Sequence, residues 1–574
     1  MNEKIYPKII KGKTYYYLQY TYRVKINPND IMKGKGRGSG KSKVKSKSVY
    51  LGSASAIKKK LSTLTEPLEI KYKEFGLVGA VYNVAKEIGL IETFKNNIKG
   101  ERYGIENWKY FLLAIINRID NSTSKEKMGK WAKETILPEL LNFQPQKLNS
   151  KSFWYATDDI IREKELNDRR NKNPEIIEEI NAGIDEQIFI KIEKEIVKNI
   201  QDKYELFSDV FLYDTTNFFT FFKEPLRSFI AKSAKSKAGR NNLKHTGLAL
   251  CVDKQWGVPM FHSIYRANSH DTKTFNKAID DLIHVIKDVI KVENMMLVID
   301  KGNNSKDNFE KLVKKTQWIG SLKVSDYQDL SNIELKDYSD TYKEYKYITR
   351  KKHVMGVDMK LVLTYNDKLY RKQKKSFNAS IEKLTNKITK KWSEYKRTPS
   401  QVPKGVTNIL SDSHYGKYIG VRCKKGKAEF FDKTKEVDKK KKKFGKTLLF
   451  ASNNNQKAYD IIDLYHSKDK VEDGIKLLKD PHLISWQPMR HWTDTKIRAF
   501  AFSCVMALMI IRIMEYKATI NDIKMSPQIL KQELKDLKKV ILIYDKNRVQ
   551  KKITHTSTVQ KRLWEVFNLD DIKI

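Results

Sequence analysis

The clearest hydrophobic pattern lies between Leu206 and about residue 325, where short apolar runs alternate with segments of helical spacing. The apolar runs are Val210–Tyr213, Thr246–Val252, Val258–Ile264, Met296–Ile299 and Trp318–Val324. Asp271–Ile290 and Asn304–Lys315 fall between or after these runs and have helical spacing. Short apolar runs predict strands, and their alternation with helices predicts one sheet with helices packed against it. We therefore predict that an α/β core begins here and covers residues 206–325.

The N-terminal pattern differs from that of the core. Residues 1–65 alternate aromatic and basic positions, as in Lys13–Leu18, and include a stretch rich in Gly, Lys and Ser at 32–48. This pattern predicts a small β-rich module whose strands are joined by a flexible basic loop.

Helical spacing dominates between residues 70 and 205, and long polar stretches such as 158–180 occur there. One apolar stripe shows the helical period: Trp108, Phe111, Leu112 and Ile115. The segment predicts a helical domain, for which DNA binding is the candidate role.

A long basic segment interrupts the core pattern. Residues 326–446 are dense in Lys and Tyr and include five consecutive lysines, Lys439–Lys443, near their end. Sheet-and-helix patterning resumes at Thr447–Phe450. We predict an insertion domain at 326–446, a second part of the core at 447–515, and a basic helical tail at 516–574.

The longest strongly apolar run is Ala499–Ile511, flanked by Arg498 and Arg512. It is shorter than the roughly 20 residues needed to cross a bilayer, which favours a buried core helix. The first residues, MNEKIYPKIIKGK, lack the uninterrupted apolar segment of a signal peptide. The sequence therefore predicts a cytoplasmic, nucleoid-associated protein with no membrane partner.

The net positive charge of the chain indicates which kind of molecule it binds. Lys and Arg total 112 against 69 for Asp and Glu, a formal net charge of +43, while 40% of residues are hydrophobic. The positive charge thus lies on a globular protein, and it favours polyanions because each contacted phosphate releases counterions. Double-stranded DNA is the predicted partner.

The three cysteines, Cys251, Cys423 and Cys504, are far apart in the sequence. No disulfide or zinc site is predicted from this spacing.

Two aspartates lie at the ends of apolar runs that predict strands. Asp214 follows Val210–Tyr213, and Asp300 follows Leu297–Ile299. Clustered carboxylates are the ligands that two Mg²⁺ ions need in phosphoryl transfer, so the two positions are candidates for such a site. Turn chemistry is the alternative, because Asp is common where a strand ends and can bond its own backbone.

A third carboxylate, Glu472, lies in a segment of helical spacing that Pro481 is predicted to end. Four polar residues fall on one helical stripe, with offsets of 3, 7 and 14 from the first: Tyr465, Lys468, Glu472 and Lys479. A neighbouring apolar stripe consists of Leu464, Val471, Ile475 and Leu478. The helix can therefore pack on a sheet while presenting Glu472 between lysines. An ordinary solvated face with ion pairs along the helix is the alternative.

The polar stripe fits the signature Y-x2-[RK]-x3-E-x6-[RK], and in this respect the chain resembles the insertion-sequence transposases of bacteria and archaea. Lys468 stands where Arg is commoner. Leu212–Thr216 resembles the strand of the family's first aspartate, and Val298–Gly302 that of its second. Other similar segments are Leu248–Thr272, Arg490–Arg498, and the N-terminal KGKTYYYL and VYLGS, as in the longer members.

This resemblance implies a ribonuclease-H-like catalytic core with a mixed sheet, interrupted by the insertion domain and preceded by the β-rich and helical parts. It implies a three-carboxylate (DDE) enzyme in which Asp214, Asp300 and Glu472 are catalytic and hold two Mg²⁺ ions, with Mn²⁺ as a substitute. Asp214 would bridge both ions, and the other two carboxylates would each bind one.

The resemblance also implies that Tyr465, Lys468 and Lys479 contact DNA beside the cut. The expected activity is cut-and-paste transposition. The protein would bind the ends of its own element, cleave them and join them to target DNA, acting as a homodimer in the DNA complex.

Two alternative functions remain at this point. A basic regulator would hold DNA without cutting it, although carboxylates facing phosphates are repulsive unless they bind metal. A structure-selective nuclease on the same fold would cut without joining.

One departure from the family concerns Ala267, which precedes Asn268 where relatives usually carry Gly. We expect a tighter or differently shaped turn before Asp271, without loss of chemistry.

Overall fold

The computed structural model describes residues 2–25, 42–62, 67–161, 187–221, 228–234, 239–269, 271–395, 399–544, 549–554 and 556–572. Three features of the sequence lie partly or wholly outside the described residues: 32–41 of the Gly/Lys/Ser stretch, 162–180 of the polar stretch, and His270. The chain divides into two compact units. One comprises Met1–Lys73 and Lys538–Thr554, and the other Glu74–Leu537 and His555–Ile574.

The strands of the described residues are numbered in chain order. They are β1 Asn2–Ile10, β2 Lys13–Lys25, β3 Ser42–Ser53, β4 Glu69–Glu74, β5 Glu101–Arg102, β6 Ile105–Glu106, β7 Val210–Thr220, β8 Lys232–Ser233, β9 Lys244–Asp253, β10 Pro259–Arg266, β11 Met296–Val298, β12 Gln317–Leu322, β13 Asp340–Tyr342, β14 Tyr345–Val354, β15 Val357–Tyr365, β16 Ile419–Lys424, β17 Lys427–Asp432, β18 Lys446–Ala451, β19 Lys538–Ile543 and β20 Val549–Ile553.

The α-helices of the described residues are numbered in the same way. They are α1 Ala54–Ser62, α2 Gly76–Glu87, α3 Leu90–Asn97, α4 Asn107–Asp120, α5 Met128–Lys133, α6 Leu137–Leu140, α7 Ser150–Ile161, α8 Gln187–Tyr204, α9 Asp271–Ile286, α10 Lys306–Leu312, α11 Gln328–Ser331, α12 Asp367–Ser393, α13 Lys404–Asp412, α14 Thr434–Lys441, α15 Ala458–His466, α16 Asp469–Lys479, α17 Asp494–Ile520, α18 Pro527–Lys535 and α19 Thr558–Val566.

The first unit contains two three-stranded sheets. Strands β1, β2 and β3 form one sheet, and β4 forms the other with β19 and β20. The tail at 516–574, predicted to be helical, therefore also contributes two strands. The run Val540–Ile543 explains the first of them, because aliphatic and β-branched residues favour a pleated surface.

The second unit is built around a mixed sheet. Ten of the described strands belong to it, in the order β10-β9-β7-β11-β12-β18-β15-β14-β13, with β8 paired to β9. Strands β7, β11 and β12 are parallel to one another, and the other paired neighbours are antiparallel. The predicted mixed α/β fold is confirmed at this level.

The segment predicted as an insertion lies between β12 and β18, which are antiparallel neighbours in the sheet. Strands β13, β14 and β15 continue the same sheet beyond β18. Helix α12 contributes to two apolar clusters, and the hairpin of β16 and β17 contributes to the first of them. The first cluster includes Leu384, Ile388, Trp392 and Ile419, and the second Phe377, Tyr418, Val437 and Phe444. The segment therefore both extends the sheet and adds packing of its own.

Helix α17 forms the centre of the second unit. Among the described residues it alone is long and apolar enough to cross a membrane, yet its most apolar stretch is entirely buried inside the protein. Its Phe502 packs against Phe94, Phe111 and Phe189 of the helical segment. The prediction of a buried core helix at Ala499–Ile511 is confirmed.

Candidate active site

Asp214 lies in the interior of a strand. The sequence pattern predicted that the strand ends there, but β7 continues to Thr220 and pairs with β9 throughout, with Asp214 opposite Leu250. The residues after Asp214 are Thr, Asn and Phe, and cross-strand pairing outweighs the low strand preference of Asp. The Asp214 side chain is half-buried, and its Oδ1 accepts the backbone N–H of Thr215 at 2.7 Å.

Asp300 follows β11, the parallel neighbour of β7. The last paired residues of the two strands are Val298 and Leu212. Asp300 and Asp214 each lie two residues further along, so continuing the same register places Asp300 beside Asp214. Side chains two residues apart in a strand share a face of the sheet. The two aspartates therefore lie on the same face, side by side at the centre of the sheet.

Glu472 lies on α16, which packs across β7 and β9 on this same face. Gly474 faces the sheet, because a Cβ added there would lie 3.8 Å from a methyl of Leu250, the strand partner of Asp214. Val471 and Leu478 are fully buried beneath the helix, whereas Glu472 is exposed in its first turn. The predicted apolar stripe is confirmed.

The single helix predicted for this segment is wrong in one respect, because α15 ends at His466 and α16 begins at Asp469. At the break, the Ser467 hydroxyl donates to the Leu464 carbonyl at 2.6 Å. Such a side-chain bond competes with the helical ladder and favours a bend. Helix α16 ends at Lys479, and Asp480, which precedes Pro481, is extended as expected for a residue before proline.

Lys468 lies at this break and is buried, with 7% of its surface exposed. Its Nζ is 3.0 Å from Oδ1 of Asp300. Burial alone would raise the pKa of Asp300, but the charge and hydrogen bond of Lys468 outweigh it and hold that pKa below its ordinary value. Burial likewise opposes the charge of Lys468, but Asp300 raises the pKa of the lysine above its ordinary value. Both groups are therefore charged at neutral pH.

Tyr465 is half-buried near the same pair. Its hydroxyl donates to Oγ of Ser321 on β12 at 2.9 Å, and Nζ of Lys468 is 5.6 Å from its ring centroid. Burial raises the pKa of Tyr465, and the charges of Asp300 and Glu472 add to the rise. Ser321 was not predicted from the sequence, which held no signal for it other than its position in a strand.

Lys479, the last residue of α16, lies over the part of β7 that follows Asp214, on the same face of the sheet. Its Nζ donates to Oγ1 of Thr216 at 2.9 Å and is 5.3 Å from the ring centroid of Phe218. Thr216 and Phe218 are two and four residues beyond Asp214, so they share its face of the sheet. Lys479 is exposed, as expected from the sequence.

The donor chemistry of the three carboxylates suits Mg²⁺, a hard cation that prefers oxygen ligands. As the side chains stand, however, no three His, Cys, Asp or Glu residues in the described part of the chain are close enough to hold a metal ion together. The position beside Asp300 favours a cation, since the Lys468 ammonium lies there. A shared metal ion would require the Lys468 side chain and the carboxylates to rearrange.

The turn before Asp271 tests the one departure from the family pattern. The backbone reverses at Ala267–Ser269, where the Ser269 N–H donates to the Arg266 carbonyl at 2.9 Å. Ala267 is absent from the described non-glycine residues with positive φ. An alanine therefore fits this turn without backbone strain.

No protein-family model and no curated protein matches the chain. Seven chains of solved structures do match. One belongs to the cryo-EM structure of a piggyBac transposase synaptic complex with hairpin DNA, with 9% identity, 79% of this chain and 76% of that chain covered, and a TM-score of 0.37. Another is a Mos1 transposase paired-end complex with the left transposon end, with 12% identity, coverages of 38% and 59%, and a TM-score of 0.14. Neither likeness is close enough to place the chain in a family.

Proposed function

We propose that this chain is a DDE-type DNA transposase that cleaves the ends of an insertion element and joins them to target DNA, with Asp214, Asp300 and Glu472 as its metal-binding residues. The observation that carries the proposal is the position of the three carboxylates. Asp214 lies on β7, Asp300 follows the adjacent parallel strand β11, and Glu472 lies on a helix packed over the same face of the sheet.

The order of the strands supports a ribonuclease-H-like core. In β10-β9-β7-β11-β12, three antiparallel strands are followed by two that are parallel to β7. This arrangement is compatible with that fold, and it gives the two aspartates neighbouring positions at the centre of the sheet. The single insertion between β12 and β18 leaves this order intact.

The charge of the chain supports DNA as the substrate. A net charge of +43 favours binding to a polyanion. Three acidic side chains on one face of such a protein would repel phosphates unless a cation neutralised them. A metal-dependent enzyme explains both the overall positive charge and the three carboxylates on this side of the sheet.

The roles of the side chains follow from their positions. When bound, two Mg²⁺ ions would activate an attacking water or 3′-hydroxyl and stabilise the leaving oxygen. Asp214, Asp300 and Glu472 would supply the oxygen ligands. Lys468 would hold Asp300 ionised until a cation arrives. Lys479 would contact a phosphate beside the cut as a point charge, and Tyr465 would orient Ser321 and Lys468 through its hydroxyl and ring.

A strand-transfer assay tests the proposal directly. Purified protein is incubated with Mg²⁺, a labelled duplex carrying the DNA that flanks the gene, and a target plasmid. We expect cleaved ends and joined products. Cleavage without joining would indicate a structure-selective nuclease, and binding without cleavage would indicate a regulator, so either result would overturn the proposal.

A further inference from the structure

The second unit contains a cavity of about 730 Å³ that is a candidate for a second binding site. Helix α4, the start of α7, the connection between them and the segment 485–503 line it. Its volume falls within the roughly 300–1,000 Å³ typical of small-molecule pockets. None of its lining residues belongs to the candidate active site.

Two cations in this cavity have only neutral contacts among the described residues. Arg118, with 7% of its surface exposed, donates to the carbonyls of Ser485 at 3.0 Å and Thr123 at 3.2 Å. Lys125 has its Nζ 4.5 Å from the ring centroid of Phe153. No carboxylate of the described chain forms an ion pair with either residue.

The surroundings of these cations are unfavourable for positive charge. Burial, reinforced by the charge of Arg118, lowers the pKa of Lys125 to about 7. Burial and the charges of Lys125, Arg118 and Lys496 lower the pKa of His491 to about 3. Lys496 is neutralised by an ion pair with Asp158. A bound anion would offset the cost of burying Arg118, and of partly burying Lys125, without a counter-charge.

Aromatic rings form a large part of the cavity wall, beside polar residues that include Glu126 and Arg490. The rings of Trp154 and Trp492 lie 5.0 Å apart, and the other aromatic residues of the wall are Tyr110, Phe111, Phe153 and Phe500. Aromatic side chains stack on nucleobases regardless of sequence, at about 1–3 kcal/mol per base. A pocket with unneutralised cations and several aromatic rings therefore fits a ligand that combines a phosphate with a planar base.

A line of rings joins this cavity to the strand that carries Asp214. Phe218 of β7 stacks on Trp486 at 4.1 Å, and Trp486 meets Phe500 of the cavity wall at 5.8 Å. Packed side chains therefore connect the cavity wall to the strand that carries Asp214.

We propose that this cavity binds a nucleotide, with its phosphate on Arg118 and Lys125 and its base against Trp154 and Trp492. The nucleotide is either free or part of a DNA strand, and both sources share the same chemistry. The site does not depend on the proposed cleavage activity.

Calorimetric titration of the full chain with deoxyadenosine monophosphate tests the free form, and titration with a five-nucleotide single strand tests the DNA form. Lys125→Met removes the charge at similar length, Lys125→Arg keeps it, and Lys130→Met alters an exposed lysine outside the cavity. We expect saturable binding of at least one ligand, weakened about tenfold or more by Lys125→Met, as when one charge-assisted contact is lost. Lys125→Arg and Lys130→Met should bind nearly as the wild type does.

Further controls separate the contributions. Deoxyadenosine without phosphate, and the single strand with an abasic position, should each bind more weakly than the parent ligand. Thermal melting checks that Lys125→Met is folded, and at the same concentration the nucleotide should raise the melting temperature of this variant less than that of the wild type. Asp214→Asn should bind the nucleotide normally, so this proposal and the proposed cleavage fail separately. Binding that is unchanged in Lys125→Met, or absent for both ligands in the wild type, would overturn the nucleotide site.

Discussion

The ammonium of Lys468 lies 3.0 Å from Oδ1 of Asp300, and the lysine is buried whereas the carboxylate remains 37% exposed. The pair links the break between α15 and α16 to the end of β11. The ion pair therefore fixes the start of α16 against the face of the sheet on which the candidate catalytic carboxylates lie.

Replacing Lys468 with Met should destabilise the protein by about 1–3 kcal/mol, since a charged hydrogen bond is lost while Asp300 stays partly hydrated. Urea unfolding measures the change. Lys470→Met, at an exposed position two residues away, is the matched control, and Lys468→Arg should retain most of the stability because it keeps the charge. Equal midpoints for Lys468→Met and Lys470→Met would show that the pair contributes nothing.

Asp214→Asn, Asp300→Asn and Glu472→Gln should each reduce DNA cleavage more than a hundredfold, because a metal ion contributes several kcal/mol of transition-state stabilisation. DNA binding should persist. Asp469→Asn, on the same helix as Glu472 and also exposed, should cleave normally.

A readout without catalysis accompanies these variants. Mn²⁺ should raise the melting temperature of the wild type, and EDTA should reverse the rise. Near-wild-type cleavage by any of the three variants would mean that the corresponding ligand is misassigned.

Lys479→Ala should reduce cleavage and joining without unfolding the chain, because the side chain is exposed and contacts the Thr216 hydroxyl and the Phe218 ring from the surface. A lysine on a phosphate carries no base information, so sequence preference should not change. Lys476→Ala, exposed on the same helix, is the comparison. If Lys479→Ala is as active as Lys476→Ala, the stripe is an ordinary surface.

DNA binding should weaken steeply with salt. In a plot of log affinity against log salt concentration, the slope should be about −0.9 times the number of duplex phosphates that the protein neutralises. Fluorescence anisotropy between 50 and 200 mM salt, roughly the range in which the effect is large, measures the slope. A flat response would contradict binding led by phosphate contacts.

Acid should destabilise the protein partly through His491. Burial lowers its folded-state pKa to about 3, against an ordinary value of 6.5. Between these values the unfolded chain binds the proton and the folded chain does not, so stability is full above about 6.5 and falls as pH drops toward 3. In His491→Asn this part of the pH dependence should disappear, whereas His414→Asn, at an exposed position, should melt like the wild type across the range.

The sequence predicted the local elements of the sheet better than their partners. The runs at Val210–Tyr213 and Met296–Ile299 coincide with the starts of β7 and β11, because alternation and β-branching are local signals. The continuation of β7 beyond Asp214 depends on pairing with β9. The extension of the sheet by β15 depends on pairing with β18, some 80 residues later in the chain. Such pairings leave no local trace.

The burial of Lys468 was not expected from its place on the predicted polar stripe. A lysine is normally exposed, and the signature grouped Lys468 with the polar residues Glu472 and Lys479. Yet its offset of 4 from Leu464 puts it on the apolar stripe that Val471, Ile475 and Leu478 continue at 7, 11 and 14. Only the position of Asp300 in the fold explains how a charged residue occupies that stripe. The metal-binding role of the carboxylates remains a prediction.

The sheet that joins β4 to β19 and β20 brings together two parts of the chain that the ribosome makes far apart in time. From Glu74 to Lys538 the interval is 538 − 74 = 464 residues, so at about 5–20 residues per second β4 waits roughly 25 to 90 seconds for its partner. An unpaired strand edge invites aggregation, and charged side chains counter it. Four of the six residues of β4 are charged, Glu69, Lys71, Lys73 and Glu74, which suits a strand that must stay soluble during synthesis. A chain that stops before residue 538 never completes this sheet, so synthesis past that residue is a condition for finishing the unit that also contains residues 1–73.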